Sequence, residues 1–128
     1  MTPEELSYTA EHEWIRLTES GTVVFGITDY AQDSLGDIVY VSLPGVGDSL
    51  VAGTTCGEVE STKSVSDIYS PVDGEVIAVN TELDRNPEVI NSAPYGDGWL
   101  VEVELANPAQ IDSLLSSTEY LALISKSE

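Results

Sequence analysis

Apolar positions recur at every second residue along most of the chain, in runs too short for helices, and the pattern turns helical only near the end. Trp14, Ile15 and Leu17, then Val23, Val24, Phe25 and Ile27, flank Ser20-Gly21 and predict a hairpin of strands over 13–18 and 22–28. Thr28 is placed to cap a short helix over 29–35, with Asp29 at its positive end and Gly36 to stop it. Ile38-Val39-Tyr40-Val41 predicts a strand over 37–43, apolar enough to be buried on both faces and ended by Pro44-Gly45. Shorter strands are expected at 50–51, 56–61, 65–69 and 75–81, with Pro71-Val72-Asp73-Gly74 as a turn. Asn86 caps a predicted helical turn that has Pro87 at its first position. Trp99, Val101, Val103 and Leu105 share one face of a last strand over 99–105, with Glu102 and Glu104 on the other. From about 107 to 126 the tail reads as helical. Asn107-Pro108 opens one helix, and Ser116 with Glu119 forms a capping box for a second.

One internal echo bears on the architecture. Gly36-Asp37-Ile38-Val39-Tyr40-Val41 resembles Gly74-Glu75-Val76-Ile77-Ala78-Val79, and Gly57-Glu58-Val59 is loosely matched by Gly98-Trp99-Leu100. Two copies are too few for a solenoid. They predict two similar halves of one mainly β sandwich, a single domain over 1–128 with the helical tail packed on it. The link between the strands at 56–61 and 65–69 joins the halves, and it holds Lys63.

Composition narrows the partners. With 23 acidic residues against 4 Lys plus Arg, the net charge of −19 disfavours nucleic acid and anionic membranes and favours basic protein surfaces. A hydrophobic share of 41% is too high for a disordered chain. No apolar run approaches membrane-spanning length. The N-terminal stretch has no basic, apolar or Arg-rich targeting pattern, so the cytoplasm is expected; a processed mitochondrial protein would share these features.

Candidate chemistry is sparse. His12, the only histidine, is followed by Glu13 but lacks the second histidine of a zinc helix. Cys56, the only cysteine, has no electropositive neighbour in sequence and reads as a packed thiol. The carboxylates lack calcium-loop spacing, and no glycine-rich phosphate loop is present. No catalytic or metal-ligating residue is therefore assigned. Lys63 differs. It is one of two lysines, and the nearby Glu58, Glu60 and Asp67 favour its ammonium form, the wrong direction for an unassisted Schiff base. The same setting suits a lysine that another enzyme acylates, which removes the charge and roots a swinging arm. A solvated turn residue is the plain alternative.

Five blocks in order then carry a resemblance. They are Tyr8-Thr9 with His12-Glu13-Trp14; Gly26-Ile27-Thr28-Asp29-Tyr30-Ala31-Gln32 leading to Leu35-Gly36-Asp37; Glu60-Ser61-Thr62-Lys63-Ser64-Val65-Ser66-Asp67; Pro87-Glu88-Val89-Ile90-Asn91; and Pro94-Tyr95-Gly96-Asp97-Gly98-Trp99. From Tyr8 to about Leu105 the chain resembles the H-protein family of the glycine cleavage system. The resemblance implies a flattened barrel-sandwich hybrid of the lipoyl/biotinyl-carrier type, with short peripheral and C-terminal helices. It implies a non-catalytic carrier whose lipoate is held in amide linkage on Lys63, by position in the Glu-Ser-x-Lys-Ser motif. Glu13 and Asp67 would take the family's acidic cleft positions, where the cationic aminomethyl end of the arm is sheltered. Glu11 stands where at least some relatives have a small polar residue.

The implied partners are a pyridoxal-phosphate glycine decarboxylase (P protein), a folate-dependent aminomethyltransferase (T protein) and dihydrolipoamide dehydrogenase (L protein). A lipoate-attaching enzyme completes the set, with Glu58 and Glu60 as recognition charges for it and for the other three, and a monomer is expected. Biotin carriers flank their lysine with methionines, and lipoyl domains of 2-oxo acid dehydrogenases carry Asp-Lys-Ala; here Thr62 and Ser64 flank Lys63. A lipoyl relay that donates its cofactor to other proteins, and a purely structural acidic module, are the remaining alternatives.

Overall fold

The computed structural model describes residues 5–127, and in it nine strands form two antiparallel sheets. The larger sheet has the order β1 (Ser7–Tyr8), β2 (Glu13–Leu17), β3 (Thr22–Ile27), β9 (Val101–Leu105), β8 (Gly74–Val79) and β5 (Ser49–Leu50). The smaller has β4 (Ile38–Ser42), β6 (Thr55–Ser61) and β7 (Val65–Tyr69). Three short α-helices accompany them: α1 (Asp29–Leu35), α2 (Val89–Ser92) and α3 (Ser117–Ser127), with 3₁₀ turns at Thr81–Asp84 and Pro108–Ser113.

β3 explains how two cores arise from one sheet. All six of its residues are buried. Its alternation sends Val23, Phe25 and Ile27 into the main core between the sheets, with Ile38, Val59, Ile68, Val76, Val101 and Val103. Val24 faces the other way, into a second cluster with Leu6, Tyr8, Trp14 and Tyr120 beneath α3. The strand buried on both faces is thus β3. The expectation placed it at β4, where Val39 and Tyr40 are 49% and 58% exposed. The reason is position: β4 is an edge of the small sheet and only one of its faces meets the core.

The internal echo has a structural counterpart. β4 pairs with β6 with an irregularity between Ile38 and Tyr40, and β8 pairs with β9 with one between Val76 and Ala78. Val39 and Ile77, equivalent in the echo, are the residues skipped, and both are exposed while Ile38 and Val76 are buried. An extra residue in an antiparallel pair bends the strand and sharpens its twist. Each half therefore curves at the same place, as a flattened barrel needs.

Local signals hold with two corrections. The Thr28 side chain caps α1, accepting from the Ala31 amide at 3.2 Å, and Gly36 ends the helix at φ +85°. Ser116 and Glu119 form a reciprocal capping box, at 2.9 and 3.2 Å. Asn86, however, bonds through its side chain to Glu82 at 2.7 Å, and α2 begins at Val89 without a side-chain cap. Trp99 packs in the second cluster while Leu100 is buried in the main core, so the alternation of β9 begins only at Val101. The loop before it is shaped by Trp14, whose indole nitrogen donates to the Pro94 carbonyl at 2.8 Å. Gly26, opposite Trp14, leaves room for that ring: a Cβ would lie 2.8 Å from it.

Candidate functional site

Lys63 is exposed at the tip of the β6–β7 hairpin, and the turn is held without its side chain. The Ser61 hydroxyl accepts from the amides of Lys63 and Ser64, each at 3.1 Å, and the Ser61 amide donates to the Ser64 carbonyl at 2.8 Å. A short polar side chain thus satisfies amides that a tight turn leaves unpaired. The Thr62 amide donates to the Asp37 carbonyl at 3.1 Å, tying the turn to the start of β4.

Asn91 secures that anchor. Its Oδ1 accepts from the Ile38 amide at 2.9 Å, and its Nδ2 donates to the Gly36 carbonyl at 2.9 Å and to Gln32 at 2.8 Å. The residues on both sides of Asp37 are therefore pinned by one amide. Asn91→Ala is expected to destabilise the fold by about 2 kcal/mol, because it orphans partly buried backbone groups. Urea titration reads the loss, and faster exchange of the Thr62 amide reads its transmission to the hairpin.

The lysine stem lies across the end of α1: a Cβ on Gly36 would stand 3.0 Å from Lys63 Cε and 3.7 Å from Nζ. Immediately before Gly36, Ser34 and Leu35 line a cavity of about 290 Å³. Its walls also include His12 and Glu13 from the entry to β2, Tyr30 from α1, and Ser66 and Asp67 from β7.

Glu13 forms the buried wall. It is 2% exposed; Thr9 donates its hydroxyl to Oε1 at 3.2 Å and the Tyr69 amide donates to Oε2 at 2.9 Å. Both donors are neutral. Burial pushes the carboxyl up to about 8, and the two hydrogen bonds only partly offset it. Asp67 lines the same cavity from an exposed position on β7, opposite Glu58 in the register. Glu58 and Glu60 are exposed on the outward-alternating positions of β6. Glu13 and Asp67 thus both line one cavity, whereas Glu58 and Glu60 do not, although Glu58 shares the outward face of the small sheet with Asp67.

His12 is half-buried with φ +67°, and its Nδ1 lies 2.8 Å from the Tyr120 hydroxyl. Cys56 is half-buried, and its thiol is raised to about 12, first by burial and then by the Glu13 charge. It therefore stays protonated and unreactive near neutral pH. Among the described residues no group of three His, Cys, Asp or Glu could hold a metal ion. Sequence reasoning gave no role to Ser61, Asn91 or Tyr120, and weighed His12 as a zinc ligand. Ser61 and Asn91 lay inside matched blocks without an assigned role, whereas Tyr120 looked like an ordinary apolar helix position.

A β sandwich that displays an exposed lysine on a hairpin held through its backbone has the form of a carrier domain. Comparison with known proteins makes the class particular. Residues 6–127 match the family model described as Glycine cleavage H-protein. A glycine cleavage system H protein of Micrococcus luteus is 60% identical over 119 residues, 92% of this chain and 93% of that one. One from Mycobacteroides abscessus is 57% identical over 114 residues, 89% and 87% of the two chains. The crystal structure of a glycine cleavage system H protein from Mycobacterium marinum superposes with a TM-score of 0.89 at 44% identity, covering 96% of this chain and 98% of that one.

The chain belongs to the glycine cleavage H-protein family. It is a non-catalytic carrier of the glycine cleavage system, and the family's cofactor is a covalent lipoyl-lysine. Membership implies the P, T and L proteins of that system as partners. No helix among the described residues is long and apolar enough to cross a membrane.

Proposed function

We propose that Lys63 is the residue that bears the lipoyl group, and that the cavity of Glu13 and Asp67 shelters the aminomethyl end of the loaded arm. The observation that carries this reading is the hairpin itself. Ser61 and Asp37 hold the turn through the backbone, so the exposed Lys63 amine can be acylated without breaking a core contact. Its stem passes Gly36, the residue after the cavity-lining Leu35, so an arm rooted there has the cavity within its reach along α1.

When bound, the lipoyl group supplies dithiol–disulfide chemistry on a flexible tether, and tethering replaces free encounters with a high local concentration. The chain's own residues do the rest. Glu13, buried in the cavity lining between neutral donors, holds a cation by losing its proton to solvent and taking up a charge-assisted bond. Asp67, in the same lining, adds a second carboxylate. Glu58 and Glu60, exposed on the strand that leads into the turn, present charge to a basic patch on a lipoate-attaching enzyme or on the system's enzymes.

The carrier acts as a monomer in the cytoplasm, with no nucleic-acid or membrane partner, consistent with its charge of −19. Peptide mapping after lipoylation tests the assignment: the added mass is expected on the peptide with Lys63 and on no other. The lipoylated protein is also expected to support glycine–carbon dioxide exchange with purified P protein. A lipoylated protein inactive in that exchange would instead favour the relay role.

A further inference from the structure

Tyr120 lies on α3, 108 residues from His12, and is wholly buried. Its ring stacks on Tyr8 at 4.8 Å with planes 10° apart. Its hydroxyl stands between two groups at equal distance, His12 Nδ1 at 2.8 Å and Thr28 Oγ1 at 2.8 Å. His12 in turn lines the cavity, its ring 4.9 Å from that of Tyr30 and edge-on to Tyr120 at 5.7 Å. The His12 backbone takes a left-handed conformation that a non-glycine residue adopts at a cost. It is held there by its amide on the Thr9 carbonyl and by the Thr28 amide on its own carbonyl, both at 3.1 Å. Thr28 also caps α1, whose residues form the facing wall. One phenol thus ties together the histidine wall, the helix wall and the C-terminal helix.

Resting on the shelter reading above, we propose that Tyr120 is a positioning residue for the cavity. Its hydroxyl fixes the orientation of the His12 imidazole, so that α3 sets the shape of the space the arm enters. The hydrogen-bond inventory allows this in both directions. Thr28 can donate to Tyr120, which then donates to Nδ1; or Nδ1–H can donate to Tyr120, which then donates to Thr28. The ionisable groups around the imidazole are Glu11 and Glu13 on its own segment, Tyr30 on α1, Asp67 on β7 and Tyr120 on α3. Burial lowers His12 and outweighs the opposing pull of Glu11, so the ring does not repel an incoming cation near neutral pH.

Tyr120→Phe keeps the ring that packs on Tyr8 and removes only the hydroxyl. His12 is the sole histidine, so in tag-free protein its nitrogen resonances are read without assignment. In the unlipoylated variant, the tautomer balance of the imidazole is expected to shift, because Nδ1 loses its hydroxyl partner. In lipoylated protein, attachment at Lys63 is expected to be unchanged, while the aminomethyl-loaded form decays about fivefold faster, as loss of one buried hydrogen bond implies. A merely structural tyrosine would lower the melting temperature and leave the imidazole unmoved, and that result overturns the proposal. So does a loaded form as long-lived as the wild type's. Glu13→Gln measured in parallel separates the two readings. Faster decay in that variant alone refutes the role of Tyr120, and unchanged decay in both refutes the shelter and this inference with it.

Discussion

Lys63→Arg is expected to carry no lipoyl mass and to reduce glycine–carbon dioxide exchange to background, while folding as the wild type does. Arginine keeps the positive charge and the aliphatic stem, but its guanidinium stays protonated and offers no free amine to acylate. The fold has no stake in the change. Lys63 is exposed, the Ser61 hydroxyl and the Asp37 carbonyl hold its turn, and its stem only brushes Gly36. Surface changes of this kind stay within about 0.5 kcal/mol. Intact mass, exchange activity and thermal midpoint together check it. Lipoyl mass on the arginine variant would move the anchor to another residue, and a collapsed melting temperature would show that the lysine had a structural task.

Glu13→Gln is expected to stabilise the protein and impair its shelter. The folded carboxyl is raised to about 8 from an ordinary 4.5, so the folded state holds a proton that the unfolded chain has released across that interval. Stability from this group is complete below pH 4.5 and is lost as pH climbs through 8, at about 1.4 kcal/mol per pH unit. Glutamine mimics the protonated acid and has no such slope. At pH 7 the variant should therefore exceed the wild type by about 2–3 kcal/mol, and the gap should close toward pH 5.

His12, lowered by burial, slopes the opposite way below its ordinary value of 6.5, as does Asp29 at acid pH. The difference between the two proteins, rather than either curve, isolates Glu13. Denaturant titrations from pH 5 to 8.5 measure it. A gap that does not depend on pH would mean that the carboxyl titrates normally. A wild type so burdened makes sense if a cation in the cavity is what ionises Glu13, since function sites often retain groups that lower stability. The same variant should release the aminomethyl unit to water faster, with lipoylation at Lys63 unaltered.

The legible features and the hidden ones divide by range of interaction. The α1 cap at Thr28, the Gly36 stop and the Ser116–Glu119 box were readable because their partners lie within four residues. The echo of 36–41 in 74–79 was readable as well, and its shared bulge at Val39 and Ile77 shows that the two halves bend alike. β4 was misjudged because apolarity shows what a strand can bury, while its place at a sheet edge settles how much it does. Asn86 was misjudged because tight turns, with the Val89 amide on the Asn86 carbonyl, follow it and α2 starts only at Val89.

Lys63 stood out from the letters alone, as a rare lysine in an acidic hairpin inside an ordered set of motifs, and those motifs pointed to the family. Nothing in the letters separated a solvated Glu13 from a buried one. Its burial sums contributions from Thr9, from Tyr69 fifty-six residues away, and from walls on α1 and β7. The tie from His12 through Tyr120 to Thr28 spans more than ninety residues on each side. Turns and caps are local hydrogen-bond problems that a few neighbouring residues solve. A cavity's charge is a desolvation problem, and desolvation is set by the sheets and helices that close over it.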